Sequence, residues 1–488
     1  MKLSQRFRKH AQSPRLGILL LCATVSATVA WVQLTGGAGS IPGSAHLIRH
    51  PDTGVELRAR FSQPMIIQGE DGTLYLNLSV TTPERDVRVS QPGATDLILV
   101  LDRSGSMAEG NKWQFATQAV QSLFDRLSPT DRIGLVTFDT RGRIESPLVP
   151  AGSEPLARLR RMVESLTPGD NTNLGEGLLL AQGLFGQSAE SGRRRRVILL
   201  SDGHANHGIV EPAELNRLVS RIADRGVIVS SIGMGLGFNE VLMASLADYG
   251  MGQFSFLESL ESLGNILAGE LAQSRQVYAD GSEFRLQLPA GVELLDSAGY
   301  PFVLEGRTAV IRTGQLLEGR QKEFMLTLQV DNRRVADYRF GGMGISYRID
   351  GREYRQEIPA GNLQVACVAP ARKEEVVESI DQQVYRKAWI RNNLGSLMKS
   401  VSNLVRQGDR EQAKTLLGEY RSRLDAAEKA SAVPGLKDEA GGRLAELEAF
   451  VDDAFLGNDQ KRKQNRAAKE LYGASQQLQR VEKKNPNR

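Results

Sequence analysis

The sequence predicts an α/β fold whose centre is a doubly wound, mostly parallel sheet with helices on both faces. Apolar runs such as 97–101, 133–138 and 197–200 show no alternation, which is typical of strands buried on both faces. Segments with helical spacing of apolar residues separate these runs, and this alternation is characteristic of parallel sheets. On either side, at 55–90 and 276–368, apolar and polar residues alternate with a period of two, which predicts half-buried antiparallel strands.

Length and composition fit a globular protein of several domains. A chain of 488 residues suggests about three domains, and its 41% hydrophobic and 24% charged residues are ordinary for soluble proteins. Two cysteines are too few for a disulfide scaffold or a four-thiolate zinc site. The five histidines do not form a His-Glu-x-x-His pattern, which argues against a zinc hydrolase.

The N-terminal segment is predicted to direct the chain out of the cytoplasm. The first fifteen residues carry five Lys or Arg and no acid, and residues 17–34 carry no charge. This pattern indicates a membrane anchor with its basic end in the cytoplasm, or a signal that is cleaved after Ala30 or Ala38. We expect a single-pass protein of the inner membrane whose bulk faces the periplasm or exterior, with a cleaved, secreted form as the alternative.

The patterns divide the chain into consecutive parts. The stretch 55–90 is too short to bury its own core, so we expect it to share one β-sandwich with 276–368, with the α/β domain inserted between them. Two independent β units are the alternative. The expected parts are a basic N-terminus and anchor helix (1–35), a linker (36–54), the first sandwich strands (55–92), the α/β domain (93–275), the remaining sandwich (276–368), a helical hairpin region (369–457) and a basic, poorly packed tail (458–488).

Within the α/β domain, each expected helix presents apolar residues at helical spacing, as Phe115, Ala119 and Leu123 do in the first. The expected helices are 112–127, 154–166, 174–186, 212–225, 239–248 and 258–274. The expected strands are 97–101, 133–138, 197–200, 227–232 and 252–256.

The first apolar strand ends in a group of small oxygen-bearing residues. Asp102, Ser104 and Ser106 are spaced by two, and Gly105 lets the backbone bend so that the three side chains can converge. Open α/β sheets bind ligands at the carboxyl ends of their strands. One carboxylate with two hydroxyls is an all-oxygen set that suits Mg²⁺ better than zinc.

Two further segments bring oxygen donors to the same edge of the sheet. Thr172 lies in Asn171-Thr172-Asn173-Leu174-Gly175, which opens a helix. Asp202 lies in Ser201-Asp202-Gly203, directly after the strand at 197–200. We therefore expect all three segments to reach one rim of the sheet.

With these three elements in order, residues 93–275 resemble the von Willebrand factor type A (VWA) domain with its metal-ion-dependent adhesion site. The family pattern is Asp-x-Ser-x-Ser, then a Thr, then an Asp in a Ser-Asp-Gly-like turn. The resemblance implies that Mg²⁺, with Mn²⁺ or Ca²⁺ as alternatives, is held by five residues, and that an open position accepts an acidic side chain of a partner protein. The implied metal ligands are Asp102, Ser104, Ser106, Thr172 and Asp202, and the expected partner-binding rim is Gly105, Asn173, Gly203 and His204.

We therefore expect a Mg²⁺-dependent protein-binding and adhesion module, not an enzyme. A phosphatase with an Asp-x-Asp motif is disfavoured because Ser104 stands at the second acidic position. The expected partners are a protein ligand with an exposed Asp or Glu and, through residues 17–34, the membrane; nucleic acid is not expected. The alternative is a scaffold or regulatory subunit of a membrane-associated assembly that works through its helical C-terminal region.

Overall fold

The computed structural model describes residues 46–84, 94–186, 193–235, 237–257 and 275–485, together with residues 266, 269 and 273. The predicted anchor at 17–34 and most of the predicted helix at 258–274 lie outside these residues. None of the helices in the described part of the chain has both the length and the apolar composition that a membrane span requires.

The strands in chain order are β1 (His46–Arg49), β2 (Glu56–Phe61), β3 (Met65–Ile67), β4 (Thr73–Thr81), β5 (Thr95–Asp102), β6 (Arg132–Phe138), β7 (Gly142–Pro150), β8 (Arg194–Ser201), β9 (Val227–Met234), β10 (Met251–Leu257), β11 (Val277–Gln287), β12 (Val292–Ser297), β13 (Phe302–Glu305), β14 (Thr308–Leu317), β15 (Arg320–Val330), β16 (Ala336–Arg339), β17 (Met343–Ile349), β18 (Arg352–Ile358), β19 (Gln364–Val368) and β20 (Val481–Lys484). The α-helices are α1 (Lys112–Phe124), α2 (Ser153–Ser165), α3 (Leu174–Leu184), α4 (Pro212–Asp224), α5 (Glu240–Tyr249), α6 (Lys373–Glu378), α7 (Gln382–Trp389), α8 (Gly395–Gln407), α9 (Arg410–Ser431), α10 (Leu436–Ala454) and α11 (Gln460–Gln479).

The α/β domain has a doubly wound sheet, as predicted. Its strand order is β10-β9-β8-β5-β6-β7, and all pairs are parallel except β6 with β7. Alternate residues of β5 enter two different cores, Leu99 on one face and Ile98 on the other, because helices cover both faces. The chain runs from β5 toward β7 on one side and from β8 toward β10 on the other. The carboxyl ends of β5 and β8 therefore form the topological switch point, where such sheets bind ligands.

Strands from before and after the α/β domain form one β-sandwich. β4 pairs antiparallel with β15 from Thr73↔Gln329 to Thr81↔Gln321. The resulting sheet, β1-β2-β4-β15-β12, faces the sheet β13-β14-β11-β17-β18, and their inner side chains, among them Leu76, Phe284 and Phe324, share one core. The α/β domain is thus an insertion in the sandwich, as the short length of the first strand segment suggests.

The prediction of a basic, poorly packed tail at 458–488 is wrong for the residues up to 485. Helix α11 packs along α8, with Ala468 and Leu471 buried, and the Ser402 hydroxyl donates to the Ala468 carbonyl oxygen at 2.7 Å. β20 then pairs antiparallel with β15. Lys and Arg on the exposed side of α11 dominate the composition of this segment, while small residues on the other side provide the packing.

The helical region also contacts α5 of the α/β domain, through charged residues that we call the helix junction (Glu240, Asp248, Arg406, Lys469 and Arg480). Arg406 forms an ion pair with the buried Glu240, and Lys469 Nζ lies 3.8 Å from Glu240 Oε2. Arg480 donates two hydrogen bonds to Asp248, at 2.6 and 2.8 Å. Burial lowers the pKa of Lys469 to about 8, although Glu240 opposes this shift.

Candidate metal site at the carboxyl edge of the sheet

The Asp-x-Ser-x-Ser segment forms a tight turn at the end of β5. The backbone N–H of Ser104 donates to Asp102 Oδ1 at 2.8 Å, and the hydroxyls of Ser104 and Ser106 lie 3.1 Å apart. Asp102 and Ser104 are fully buried, and Ser106 is half-buried. Spacing by two therefore does bring these three oxygen-bearing side chains together on one side of the turn.

Asp202 reaches the same place from the end of β8. Its carboxylate is fully buried and accepts hydrogen bonds from Ser106 and, at 2.9 Å, from Lys112 Nζ. The neighbouring Ser201 hydroxyl donates to Asp102 Oδ2 at 2.5 Å. The first and third predicted elements are thus joined directly across the switch point between β5 and β8.

Thr172 lies on the loop that touches both of these segments. The Gly105 N–H donates to the Asp170 carbonyl oxygen at 2.7 Å, which docks the first turn on this loop. The Thr172 N–H donates to Asn206 Oδ1 at 2.8 Å, and the Thr172 carbonyl oxygen accepts from the Asn206 N–H at 3.2 Å. Thr172 itself is 2% exposed. The loop that carries Thr172 therefore contacts the first turn through Asp170 and the segment after Asp202 through Asn206.

The expected partner-binding rim has one exposed position, one half-buried position and two buried positions. Gly105 is half-buried, and His204 is exposed with its Nε2 2.7 Å from the Gly237 carbonyl oxygen. Asn173 instead caps α3 by accepting from the Glu176 N–H at 3.3 Å. Gly203 is buried at φ +69°, where a Cβ would lie 3.0 Å from Met243 Cγ. Asn173 and Gly203 therefore support the rim from beneath rather than face a partner.

The two carboxylates of the site are in different electrostatic states. Burial raises the pKa of Asp102 to about 6; the hydrogen bond from Ser201 opposes this, and the charge of Asp202 adds to it. Burial also disfavours the charged form of Asp202, but hydrogen bonds from Ser106 and Lys112 hold its pKa below the ordinary value. Asp102 is thus a buried acid whose donors are all neutral, beside a second carboxylate that one lysine neutralises.

These residues fit a hard divalent cation. In the described part of the chain no group of three or more His, Cys, Asp and Glu side chains is placed to hold a metal, so a site here would need other oxygen donors as well. The cluster offers the carboxylates of Asp102 and Asp202 with the hydroxyls of Ser104, Ser106 and Thr172, which is an all-oxygen set. A cation would also offset the buried charge of Asp102, which lacks a cationic side-chain partner.

Sequence reasoning missed Lys112, Ser201 and Asn206. Ser201 and Asn206 form hydrogen bonds that hold Asp102 and Thr172 in place, and nothing in their local sequence distinguishes them from ordinary turn residues. Lys112 carried a detectable signal. It is the first residue of α1, where the positive end of the helix dipole disfavours a cation, so its presence there indicates an acidic partner.

The sheet order defines a doubly wound α/β domain with oxygen-bearing side chains clustered at the carboxyl ends of β5 and β8. A family model for the von Willebrand factor type A domain matches residues 96–268. Residues 96–268 of this chain form a VWA domain. Domains of this family often mediate protein–protein adhesion and often bind a divalent metal ion, and proteins that carry them are mostly binding modules rather than enzymes.

The chain is similar to the uncharacterized protein YfbK of Escherichia coli (strain K12), with 28% identity over 225 residues that cover 46% of this chain and 39% of the relative. The match therefore spans well under half of that relative. A solved von Willebrand factor type A structure from Catenulispora acidiphila covers 88% of this chain and 98% of its own length, at a TM-score of 0.63 and 15% identity. The structure of the ArnB paralog VWA2 from Sulfolobus acidocaldarius covers 86% of this chain and 99% of its own length, at a TM-score of 0.52 and 18% identity. At these identities the two structures establish the fold alone.

Proposed function

We propose that this protein is a Mg²⁺-dependent protein-binding module in which the metal site captures an acidic side chain of a partner protein. The observation that carries the proposal is Asp102, a fully buried carboxylate at the switch point with only neutral donors around it. Mg²⁺ would supply a position that attracts an anionic oxygen. Proteins that carry VWA domains are mostly binding or adhesion modules, so the proposed role is binding.

Each residue of the site has a defined part in this proposal. Ser104, Ser106 and Thr172 would offer neutral hydroxyl oxygens, which add ligands without adding negative charge. Asp102 and Asp202 would hold the ion directly or through water. Because Ser201 and the Ser104 N–H already fix the Asp102 carboxylate, the site needs little rearrangement to bind a cation.

We also propose that the protein acts in the bacterial cell envelope, exposed outside the cytoplasm. The basic segment before the uncharged residues 17–34 supports this location. Intact mass and N-terminal sequencing of the mature protein would distinguish a retained anchor from a cleaved signal. A mature chain that starts at Met1 and is recovered in the cytosolic fraction would contradict the proposed location.

The function is tested by capture of partner proteins from an extract of the cell envelope. The immobilised protein should retain its partners in Mg²⁺, release them in EDTA, and fail to capture them as Asp102→Ala. Glu109→Ala is the matched control, because it removes an exposed carboxylate just after the motif but outside the proposed ligand set. Equal capture by all variants, with and without the metal, would reject the proposal.

A second candidate is a scaffold or regulatory subunit that works through its helical C-terminal region. The observation that favours it is the helix junction, which contacts α5, whose preceding residue Asn239 donates its N–H to the Asp202 carbonyl oxygen. Deleting residues 372–488 is not a clean test, because these helices bury Tyr75 and Met325 of the sandwich. Partner capture that survives Asp202→Asn but is lost when exposed residues of α9 are substituted would favour this candidate.

A further inference from the structure

The side chain of Lys112 enters the proposed metal site although no part of the Asp-x-Ser-x-Ser pattern requires it. Its Nζ donates to Asp202 Oδ2 at 2.9 Å and to the Ser106 carbonyl oxygen at 3.1 Å. Lys112 as a whole is only 9% exposed. Its ammonium group is therefore held inside the protein, against two of the residues that the proposed function assigns to the metal.

The turn after β9 is shaped to let this side chain through. Gly235 has φ +77°, and a Cβ there would lie 2.9 Å from Lys112 Cε and 3.0 Å from Lys112 Cγ. Both the backbone conformation and the close contact therefore require glycine at this position. The positive end of the α1 dipole disfavours a cation at this position. The ion pair with Asp202 and the close contact with Gly235 therefore hold the lysine in place.

Lys112 changes the charge of the site. Without it, the two carboxylates of Asp102 and Asp202 would neutralise a bound dication. With it, one of those carboxylates is already balanced, so a site loaded with Mg²⁺ carries one net positive charge. An anionic ligand would restore neutrality, whereas a carbonyl or a hydroxyl would not.

We propose that Lys112 is a specificity-determining residue of the metal site, whose fixed positive charge weakens cation binding and makes the loaded site select an anionic ligand. The inference rests on the proposed function, because it concerns the same site. The inference goes beyond the proposed function because it assigns the preference for an acidic partner to Lys112, which is not one of the five proposed ligands. The inference also predicts the direction of the effect: in the absence of a partner, loss of the Lys112 charge must raise the affinity for the metal.

Calorimetric titration of the full chain with Mg²⁺, Ca²⁺ and Tb³⁺ tests this inference. Lys112→Met keeps the apolar length of the side chain against Gly235 and removes its charge, and Lys112→Arg keeps the charge. We expect Lys112→Met to bind Mg²⁺ about tenfold more tightly than the unmodified protein, because a nearby repulsive charge is gone. Lys112→Arg should bind like the unmodified protein.

Dependence on the charge of the cation separates this role from a merely structural one. Ca²⁺ and Tb³⁺ have similar radii, so a change in site geometry should affect both alike. If the effect of Lys112 is electrostatic, the gain in the logarithm of affinity should be about one and a half times as large for Tb³⁺ as for Ca²⁺. Equal gains for the two ions would overturn the inference.

The remaining outcomes distinguish the inference from the function on which it rests. No binding heat with the unmodified protein would reject the proposed metal site itself. Binding by the unmodified protein with equal or weaker binding by Lys112→Met would reject only the role of Lys112. If Lys112→Met does not fold, the same comparison is made with Lys112→Gln, whose uncharged side chain keeps a hydrogen-bond donor. Tighter Mg²⁺ binding by Lys112→Gln than by the unmodified protein supports the inference, and equal binding overturns it.

Discussion

Two clusters of buried charge lie side by side in this protein, and they are balanced in opposite ways. The candidate metal site has two carboxylates, Asp102 and Asp202, and one cation, Lys112. The helix junction has two carboxylates, Glu240 and Asp248, and a surplus of cations. A hydrogen bond of 2.9 Å from the Asn239 N–H to the Asp202 carbonyl oxygen connects the two clusters.

The difference lies in what surrounds the surplus charge. Lys469 Nζ lies 3.7 Å from the centre of the Phe238 ring and donates to the Phe238 carbonyl oxygen at 3.2 Å. Arg480 lies 4.3 Å from the centre of the Tyr300 ring and donates to the Gly299 carbonyl oxygen at 2.6 Å. The surplus cations of the junction are thus satisfied by the protein itself, through carbonyls and aromatic faces. The carboxylate of Asp102 in the candidate metal site has no cationic partner and is hydrogen-bonded by neutral donors alone.

The largest expected effect is the loss of stability in Glu240→Gln. This change leaves Lys469 and Arg406 without the buried carboxylate that balances them, so the free energy of unfolding should fall by about 3 kcal/mol. Guanidinium denaturation followed by circular dichroism measures it. Adding Lys469→Met should restore part of the loss. A loss below about 1 kcal/mol in Glu240→Gln would mean that the junction does not stabilise the fold as a charge pair.

Asp102→Asn should behave in the opposite way. Without Mg²⁺ it should be at least as stable as the unmodified protein, because it removes a buried charge that lacks a cationic partner. At a Mg²⁺ concentration one hundred times the dissociation constant, the unmodified protein should gain about 2.7 kcal/mol and Asp102→Asn should gain none. Denaturation curves with and without MgCl₂ measure both effects. Strong destabilisation of Asp102→Asn in the absence of metal would mean that the Asp102 charge stabilises the fold, as the paired charges of the helix junction do.

The pH dependence of stability should report the buried ammonium of the helix junction. The pKa of Lys469 is about 8 in the folded protein, against an ordinary value of 10.5. As the pH rises, Lys469 therefore loses its proton in the folded protein before it does so in the unfolded chain. Burial of the charged ammonium destabilises the folded protein fully below pH 8, and this destabilisation is relieved between pH 8 and 10.5. Relative to Lys469→Met, the unmodified protein should gain up to about 1.4 kcal/mol per pH unit in this window. If the difference in the free energy of unfolding between the two proteins does not change with pH, Lys469 is not desolvated.

The smallest expected effect is that of His204→Ala at the exposed rim. Its ring contacts the Gly237 carbonyl oxygen at the surface, so the free energy of unfolding should change by less than about 0.5 kcal/mol. Mg²⁺ affinity should change by less than about twofold, because solvent and salt screen an exposed group. A larger change in Mg²⁺ affinity would mean that the charge of the site is not set by Lys112 and the carboxylates alone.

Much of the α/β domain could be predicted because its strands and helices differ in local pattern. The run 97–101 lies in β5, and the spacing of Phe115, Ala119 and Leu123 marks α1. The edge strand β7 was missed because an edge strand is half-exposed and carries Pro147 and Pro150, which read as loop. Helix α11 was missed because its many basic residues obscured a narrow buried side of small residues.

The sequence by itself determined which oxygen-bearing residues stand at strand ends, since the length of an apolar run and the spacing of residues in a motif are local properties. Asp102, Ser104, Ser106 and Asp202 can therefore be assigned to one edge of the sheet from these patterns, and the resemblance to the VWA motif adds Thr172. Only the tertiary structure decided how the charge of that site is balanced. Lys112 meets Asp202 across 90 positions of the chain, and Lys469 meets Glu240 across 229, so these pairings depend on which distant side chains share one buried volume.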